Sequence, residues 1–557
     1  MSAADRRLAW GLALATGFAM AATQGPVGFT RDEGYYFAAA QSYEQWISLL
    51  LQHPAQALAA PALEHFWSYN FEHPGLGKLL FAASHFLFST TLGWLPETFA
   101  WRLPAFAFAG LLSLWLSELG FARSRAAGVL APLLFWCAAR TFFHGHLAAF
   151  DLPICALTAG VGVAWARALG LLEVAGAPQA RAEARVRWQD GARLSFVYGC
   201  ALGVKHNAWF LPPVLLLHAL LCAGSLRRRA LRALPWLLAS PLVLFASWPL
   251  LWHDPLRHLR DWVLFHTHHV HYAWWYLGDL YRAPPFPHAY PLVLDALVLP
   301  ATTVVLLALA FARLLWHFAA RRLPPFARGA TPLSALRLLE LGLASAAVLP
   351  FVLGTTPIFG GIKHWLAFPA LLAPEAADVL VRGARAAAES AQLPARAAAF
   401  FSGSRVVALS AFAVLLPGLV QIARVHPYGT SAYGELAGGI PGAASLGLQR
   451  QYWSGNVTAV LPWINRNVPR DGRVYFHEVN VESYRAYQIS GALRRDIQYA
   501  SSPEASDYAA IQWHREFRDV EPRVWNAFGT RRPATGLYLD EVVQVVVYAR
   551  PGFPGAN

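Results

Sequence analysis

The sequence predicts an α-helical polytopic membrane protein, with about 11 transmembrane helices followed by a small C-terminal extracytoplasmic α/β domain. Composition is the first reason. Of 557 residues, 56% are hydrophobic and 14% charged, and the mean hydropathy is +0.36, whereas a soluble domain carries about a quarter charged residues. Apolar runs are the second. Leu8 to Ala22, Leu231 to Leu251 and Val293 to Phe311 each approach the roughly 20 residues that cross hydrocarbon as a helix, and such runs recur too often for one cleaved signal peptide. Charge placement is the third. Arginines cluster in short breaks at Arg6 and Arg7, Arg123 and Arg125, Arg181 to Arg193, Arg227 to Arg232, Arg321 to Arg337 and Arg382 to Arg405. These alternate with breaks holding Asp32 and Glu33, His144 and His146, or the stretch His253 to His288, the pattern of positive loops facing inward.

Starting inside at Arg6 and Arg7, membrane helices are expected near 8–27, 101–120, 126–142, 148–168, 192–205, 207–223, 233–251, 290–316, 336–354, 363–381 and 405–424. An odd number of crossings puts the C-terminus outside. The pair around 192–223 is interrupted by Lys205, His206 and Asn207, and polar residues at that depth line cavities, since a lipid-facing charge costs roughly 2.5 kcal/mol or more. Two outer loops are long, 28–100 and the histidine-rich 252–289, so residues 1–424 read as a membrane domain built around them. From 425 to 557 hydropathy falls, turn residues rise, and runs such as Arg473 to Phe476 and Glu541 to Tyr548 read as strands of an extracytoplasmic domain.

The net charge of +13 does not point to nucleic acid, because no soluble segment interleaves basic residues with stacking aromatics. Cys137, Cys155, Cys200 and Cys222 all fall in apolar runs without C-x-x-C spacing, so they read as packing residues. Many of the 22 tryptophans, Trp94, Trp101, Trp248, Trp252 and Trp365 among them, close apolar runs, as an interfacial belt requires. His266, His268, His269 and His271 have a spacing that suits zinc. No cysteine or acid nearby completes a standard site, so polar lining of the interface is the expectation, with no metal and no other cofactor. Asn456-Val457-Thr458 matches a glycosylation triplet, but the Ala, Arg, Leu and Pro content reads as bacterial and the triplet as chance.

Chemistry concentrates in the first outer loop. Asp32-Glu33 stands just past the first span, where packing explains adjacent acids poorly. Transfer to a hydroxyl needs a carboxylate to take the proton, and burial moves a carboxyl pKa toward neutrality. Glu72-His73-Pro74 followed by Gly77-Lys78 then sets a carboxylate, an imidazole and a cation within a turn or two of an amphipathic segment. A departing phosphate needs cations to meet its growing charge. Lys78 can serve, as can Lys205, His206, Lys363 and His364, which have apolar flanks.

Asp32-Glu33, the run from Glu72 to Lys78, and Trp101-Arg102-Leu103-Pro104 opening the second span resemble the protein O-mannosyltransferases (glycosyltransferase family 39) and the aminoarabinose transferases of lipid A, both GT-C glycosyltransferases. Phe150-Asp151-Leu152-Pro153 is similar to a segment at the start of their fourth span. The likeness covers roughly residues 8–220 and departs at Gly75, where those families carry a second proline. It implies a GT-C fold and an inverting glycosyltransferase that moves a sugar from a polyprenyl phosphate to a hydroxyl acceptor on protein, lipid or glycan, at the outer face of the cytoplasmic membrane. It implies Asp32, Glu33 and Asp151 as catalytic acids, with Glu72, His73, Lys78, Arg102, Lys205, His206, Lys363 and His364 around the donor phosphate. The rival class is a transporter or flippase. It requires broken helices in inverted repeats, and the sequence has no such symmetry.

Overall fold

The computed structural model describes residues 1–172, 185–319, 331–390, 403–517 and 519–556. The parts of the arginine-rich breaks at 181–184, 321–330 and 391–402 lie outside them. Among the described residues four helices are long and apolar enough to cross a membrane: Glu97–Phe121, Gly224–Ser247, Pro332–Val352 and Ser404–Val425. Around them pack Ala3–Thr23, Arg125–Trp136, Asp151–Ala168, Trp188–Val204, Ala301–Ala319 and Ala367–Ser390. The Asp151–Ala168 helix is central, with 17 of its 18 residues buried. The stretch expected as one span at 290–316 is two helices, Tyr290–Val298 and Ala301–Ala319, because Pro300 removes a backbone donor and disfavours helix at the residue before it.

The first long loop is itself helical, containing Arg31–Gln52, Ala60–Trp67 and Gly75–His85. Arg31–Gln52 starts at a capping box in which the Thr30 side chain accepts from the Glu33 N–H and the Glu33 carboxylate accepts from the Thr30 N–H, which satisfies two orphan donors reciprocally. In the second loop Pro255–Thr267 is a helix, and β1 (Trp274–Tyr276) pairs antiparallel with β2 (Asp279–Tyr281). Beyond Val425 the chain forms a five-stranded sheet in the order β4-β3-β5-β7-β6. Its strands are β3 (Arg473–Phe476), β4 (Gln498–Ala500), β5 (Tyr508–Gln512), β6 (Thr535–Leu539) and β7 (Val542–Ala549). β3 is parallel to β4 and β5, while β7 is antiparallel to β5 and β6.

The two ends of the bundle differ in charge chemistry. At one, Arg123 pairs with Glu340 and, at 2.9 Å, with Glu375; Arg337 reaches Glu375 at 3.0 Å, and Asp378 takes Arg313 at 2.9 Å and Arg382 at 2.8 Å. The acids are buried, so each needs its arginine to offset desolvation. Asp32, Asp151 and Lys363 lie at the other end.

Candidate active site

Two Asp–Lys pairs form the site. Asp32, in the first turn of Arg31–Gln52, holds Lys363 with Oδ2 at 2.7 Å. Its Oδ1 has no hydrogen-bond partner among the described residues, and the side chain is 24% exposed. Asp151, first residue of its helix, holds Lys205 at 2.5 Å. The two lysines owe their places to helix breaks. Trp188–Val204 stops at Lys205, whose backbone is extended (φ −157°, ψ 146°), before a short 3-10 turn from His206 to Phe210. Lys363 and His364 lie in another 3-10 turn, Gly361–Trp365, that leads into Ala367–Ser390. A broken helix frees backbone groups at membrane depth, which is tolerated where protein surrounds it or a cavity is lined. A cavity of about 30 Å³ lies there, with Asp151, Asn207, Lys363 and His364 among its lining and Ile154 and Leu343 among its apolar walls.

A histidine cluster borders the pairs. The rings of His206 and His266 stand 3.7 Å apart and those of His73 and His266 6.3 Å apart. His266 bonds the Glu72 carbonyl through Nε2 at 2.8 Å, while Nδ1 of His73 and of His206 is buried without a partner among the described residues. Burial holds His73 well below the usual imidazole range, and the Lys205 and Lys78 charges lower it further. Burial likewise brings His266 down to about 4, against its bond to Glu72. Both rings are therefore neutral near pH 7.

The remaining sequence-predicted residues stand behind this surface. Glu33 is fully buried and paired with Arg102, Nε to Oε1 at 2.8 Å and Nη2 to Oε2 at 3.0 Å. Arg102 also donates to the carbonyls of Val27 (3.0 Å) and Gly28 (2.9 Å) and to Gln24 (3.3 Å). All five of its N–H donors are engaged, so none is left for a phosphate, and Glu33 has no exposed oxygen to act as a base. Lys78 is buried and donates to the Asn70 and His73 carbonyls at 2.5 and 2.9 Å. Burial lowers this ammonium to about 7, with Glu72 opposing. Glu72 itself accepts from Asn70 at 2.5 Å. Lys78 and Arg102 thus strap the first loop in place, one through carbonyls and the other through a carboxylate.

The four histidines with zinc-like spacing do not converge. His266 turns to Glu72, His268 caps the Leu264 carbonyl at 3.2 Å, His269 stacks on Phe359 and His271 packs on Phe286. The helix ends at Thr267, and the extended chain after it sends successive rings in different directions. Among the described residues no group of three or more His, Cys, Asp or Glu could hold a metal ion.

Two residues enter that sequence reasoning did not single out. Tyr36 is buried, lies 3.4 Å from His73 Nε2 through its hydroxyl, and packs its ring, tilted by 32°, on Phe150 at 4.0 Å between centroids. Burial pushes its phenol well above its usual value, and Asp32, Asp151 and Glu72 add to this. Its spacing of four from Asp32 places both on one helix face, a signal that was readable. Trp453 covers the site from the C-terminal side: Lys363 Nζ lies 4.2 Å from the ring centroid, and the Trp453 carbonyl accepts from Arg31 N at 3.1 Å. Trp453 and Ser454 are both left-handed (φ 61° and 65°). Such strain costs about 1–3 kcal/mol per residue and persists only where surroundings enforce it. Here Ser454 donates to the Glu478 carbonyl at 2.7 Å and accepts from Gln512 at 3.0 Å.

Neither a protein-family model nor a curated protein sequence matches the chain. Solved structures do. ArnT from Cupriavidus metallidurans in the apo state matches at a TM-score of 0.50 and 16% identity, over 98% of both chains. The same ArnT bound to undecaprenyl phosphate matches at 0.49 and 16% over the same shares. AglB, an archaeal oligosaccharyltransferase from Archaeoglobus fulgidus in complex with an inhibitory peptide and a dolichol-phosphate, matches at 0.44 and 10%, over 90% of this chain and 69% of that one. At such identities what is shared is the architecture, and by its full-length match to apo ArnT, its apolar helices and its C-terminal sheet this chain is a multi-pass membrane protein of the GT-C fold.

Proposed function

We propose that the protein is an inverting glycosyltransferase that moves a sugar from a polyprenyl phosphate to an acceptor hydroxyl on a protein, lipid or glycan, at the outer face of the bacterial cytoplasmic membrane. The observation that carries this reading is the pair of Asp–Lys contacts beside an apolar-walled cavity, at one end of a helical bundle. A lipid phosphate needs cations at its head and apolar surface along its tail; Lys363 lines the cavity whose walls include Ile154 and Leu343, and Lys205 pairs with Asp151 of the same lining.

In this reading the donor phosphate meets Lys363 and Lys205, and the acceptor hydroxyl approaches Asp32 Oδ1. Asp32 takes the hydroxyl proton as the oxygen attacks the anomeric carbon from the side opposite the phosphate. The new C–O bond forms while the bond to the phosphate oxygen breaks, and its electron pair leaves on the phosphate, whose charge the two lysines meet. Attack opposite the leaving group inverts the anomeric centre. Asp151 holds Lys205, while Glu33 and Arg102 fix the helix turn that carries Asp32. Neutral His73 and His266 offer hydrogen bonds to sugar hydroxyls. No step uses a metal. Residues 1–424 act as the membrane domain and residues 425–557 as an extracytoplasmic cover over the site.

Mass spectrometry of envelope glycans with and without the gene identifies the product and hence the donor class. With that donor, Asp32→Asn keeps the carboxylate's shape but cannot accept a proton. Turnover is expected to fall about 10²- to 10⁴-fold with binding of the lipid donor retained, whereas Lys205→Ala weakens binding and turnover together. Near-normal turnover in Asp32→Asn would remove Asp32 as the base and pass the role to Asp151.

A further inference from the structure

A second cavity lies at the opposite end of the bundle. It measures about 300 Å³ and opens between the Ala3–Thr23, Glu97–Phe121, Asp151–Ala168 and Trp188–Val204 helices. Asp151 begins and Arg167 nearly ends one 18-residue helix, so at 1.5 Å per residue the Asp151 of the first cavity and the Arg167 of the second lie roughly 25 Å apart along its axis. That is close to the thickness of the hydrocarbon core, which places the basic rim of the second cavity at the far interface.

Its lining combines cations with aromatic and aliphatic surface. Arg6, Arg167 and Arg193 line it with Trp10 and Trp115, and Glu118 is the acid among the lining residues. Glu118 is already taken by Arg167 at 2.6 Å, and Asp190 is shared by Arg187 and Arg193. Asp5 lies 3.6 Å from Arg125, and the Arg6 guanidinium has no ion-pair partner among the described residues. The shape depends on Gly160: a Cβ there would meet the Trp115 ring at 2.8 Å, so any larger residue would push the indole off the helix surface.

We propose that this cavity binds the headgroup of an anionic phospholipid from the leaflet at that end. The phosphate meets Arg6 and Arg193, and the first carbons of the acyl chains lie against Trp10 and Trp115. Charge complementarity selects the ligand. A zwitterionic headgroup brings its own ammonium into a ring of cations, and a free phosphate leaves the aromatic walls uncovered. Basic residues at such an interface attract anionic lipid, and tryptophan favours the same depth.

The test uses the full-length protein purified in detergent, with thermal unfolding and native mass spectrometry after addition of phosphatidylglycerol, phosphatidylcholine or inorganic phosphate. Phosphatidylglycerol should raise the unfolding midpoint and remain bound as discrete adducts. The double substitution Arg6→Ala with Arg193→Ala should weaken that binding roughly tenfold or more. Arg227→Ala with Arg228→Ala, exposed on a neighbouring helix at the same end, should leave it unchanged. Equal stabilisation by phosphatidylcholine, the full effect from phosphate alone, or an equal loss in the charge-matched control would each overturn the site.

Discussion

Arg102 shows how one residue positions the chemistry without touching it. Its guanidinium closes a buried pair with Glu33 and ties down the carbonyls of Val27 and Gly28. Glu33 also accepts from Ala148 N at 3.0 Å, so the start of Arg31–Gln52 is fixed to the segment that leads into Asp151. The pair is worth little against an apolar pair of the same volume, but breaking it leaves a charge stranded. Arg102→Met should therefore destabilise the protein by roughly 3–5 kcal/mol, read as a drop in unfolding midpoint in detergent. Arg102→Lys, which keeps the charge and loses the planar fork, should fall between it and the parent. An unchanged midpoint in Arg102→Met would mean that Glu33 finds another partner.

At the scale of elements, the Asp32 helix is held by the Val481–Ile489 helix. Ser483 donates to the Thr30 carbonyl at 2.8 Å, Asn480 to the Arg31 carbonyl at 3.0 Å and Tyr487 to the Phe29 carbonyl at 3.1 Å. Gly34 makes the contact: a Cβ there would lie 2.4 Å from Ser483 Oγ, 2.6 Å from its backbone nitrogen and 2.7 Å from Asn480 Oδ1. Alanine normally improves a helix interior by about 1 kcal/mol over glycine, so propensity alone predicts a gain. The clash with backbone reverses the sign, because overpacking costs about 1–3 kcal/mol and here moves the turn that bears Asp32. Gly34→Ala should lower turnover and speed proteolysis between residues 425 and 480. A gain in midpoint with normal turnover would show that the two helices move independently.

For the whole molecule, orientation follows from which end of the bundle carries which groups. The Arg123, Arg337 and Arg382 cluster lies at one end, while Asp32 lies at the other, where Arg31 pairs with Glu478 of the C-terminal segment at 2.8 Å. In the orientation we propose, with basic loops inside, the sheet and the C-terminus lie outside with the site. A reporter that folds only in the cytoplasm, fused after Asn557, should be inactive, and one that requires export should be active. The opposite result would turn the protein over and place Asp32 on the inner face.

The membrane class, the arginine alternation and the short motifs around Asp32, His73 and Asp151 were readable in the sequence, because hydropathy and charge act locally and the acids stand beside apolar runs. The sequence also put Lys205, His206, Lys363 and His364 among the candidates, since cations with apolar flanks need a reason. Which cation meets which acid was decided by the fold. Lys78 and Arg102 are basic residues like Lys363 and Lys205, yet the fold turns the former pair to carbonyls and Glu33 and the latter to Asp32 and Asp151. The four zinc-spaced histidines diverge because a helix ends at Thr267 among them. Trp453 stands in a stretch, 426–454, whose sequence resembles a tail of the same superfamily but carries no role by itself: 421 positions separate it from Asp32, and it meets Lys363 only because strained backbone brings it there. Burial and pairing are properties of assembled helices, and no local pattern encodes which side of a helix the rest of the chain will cover.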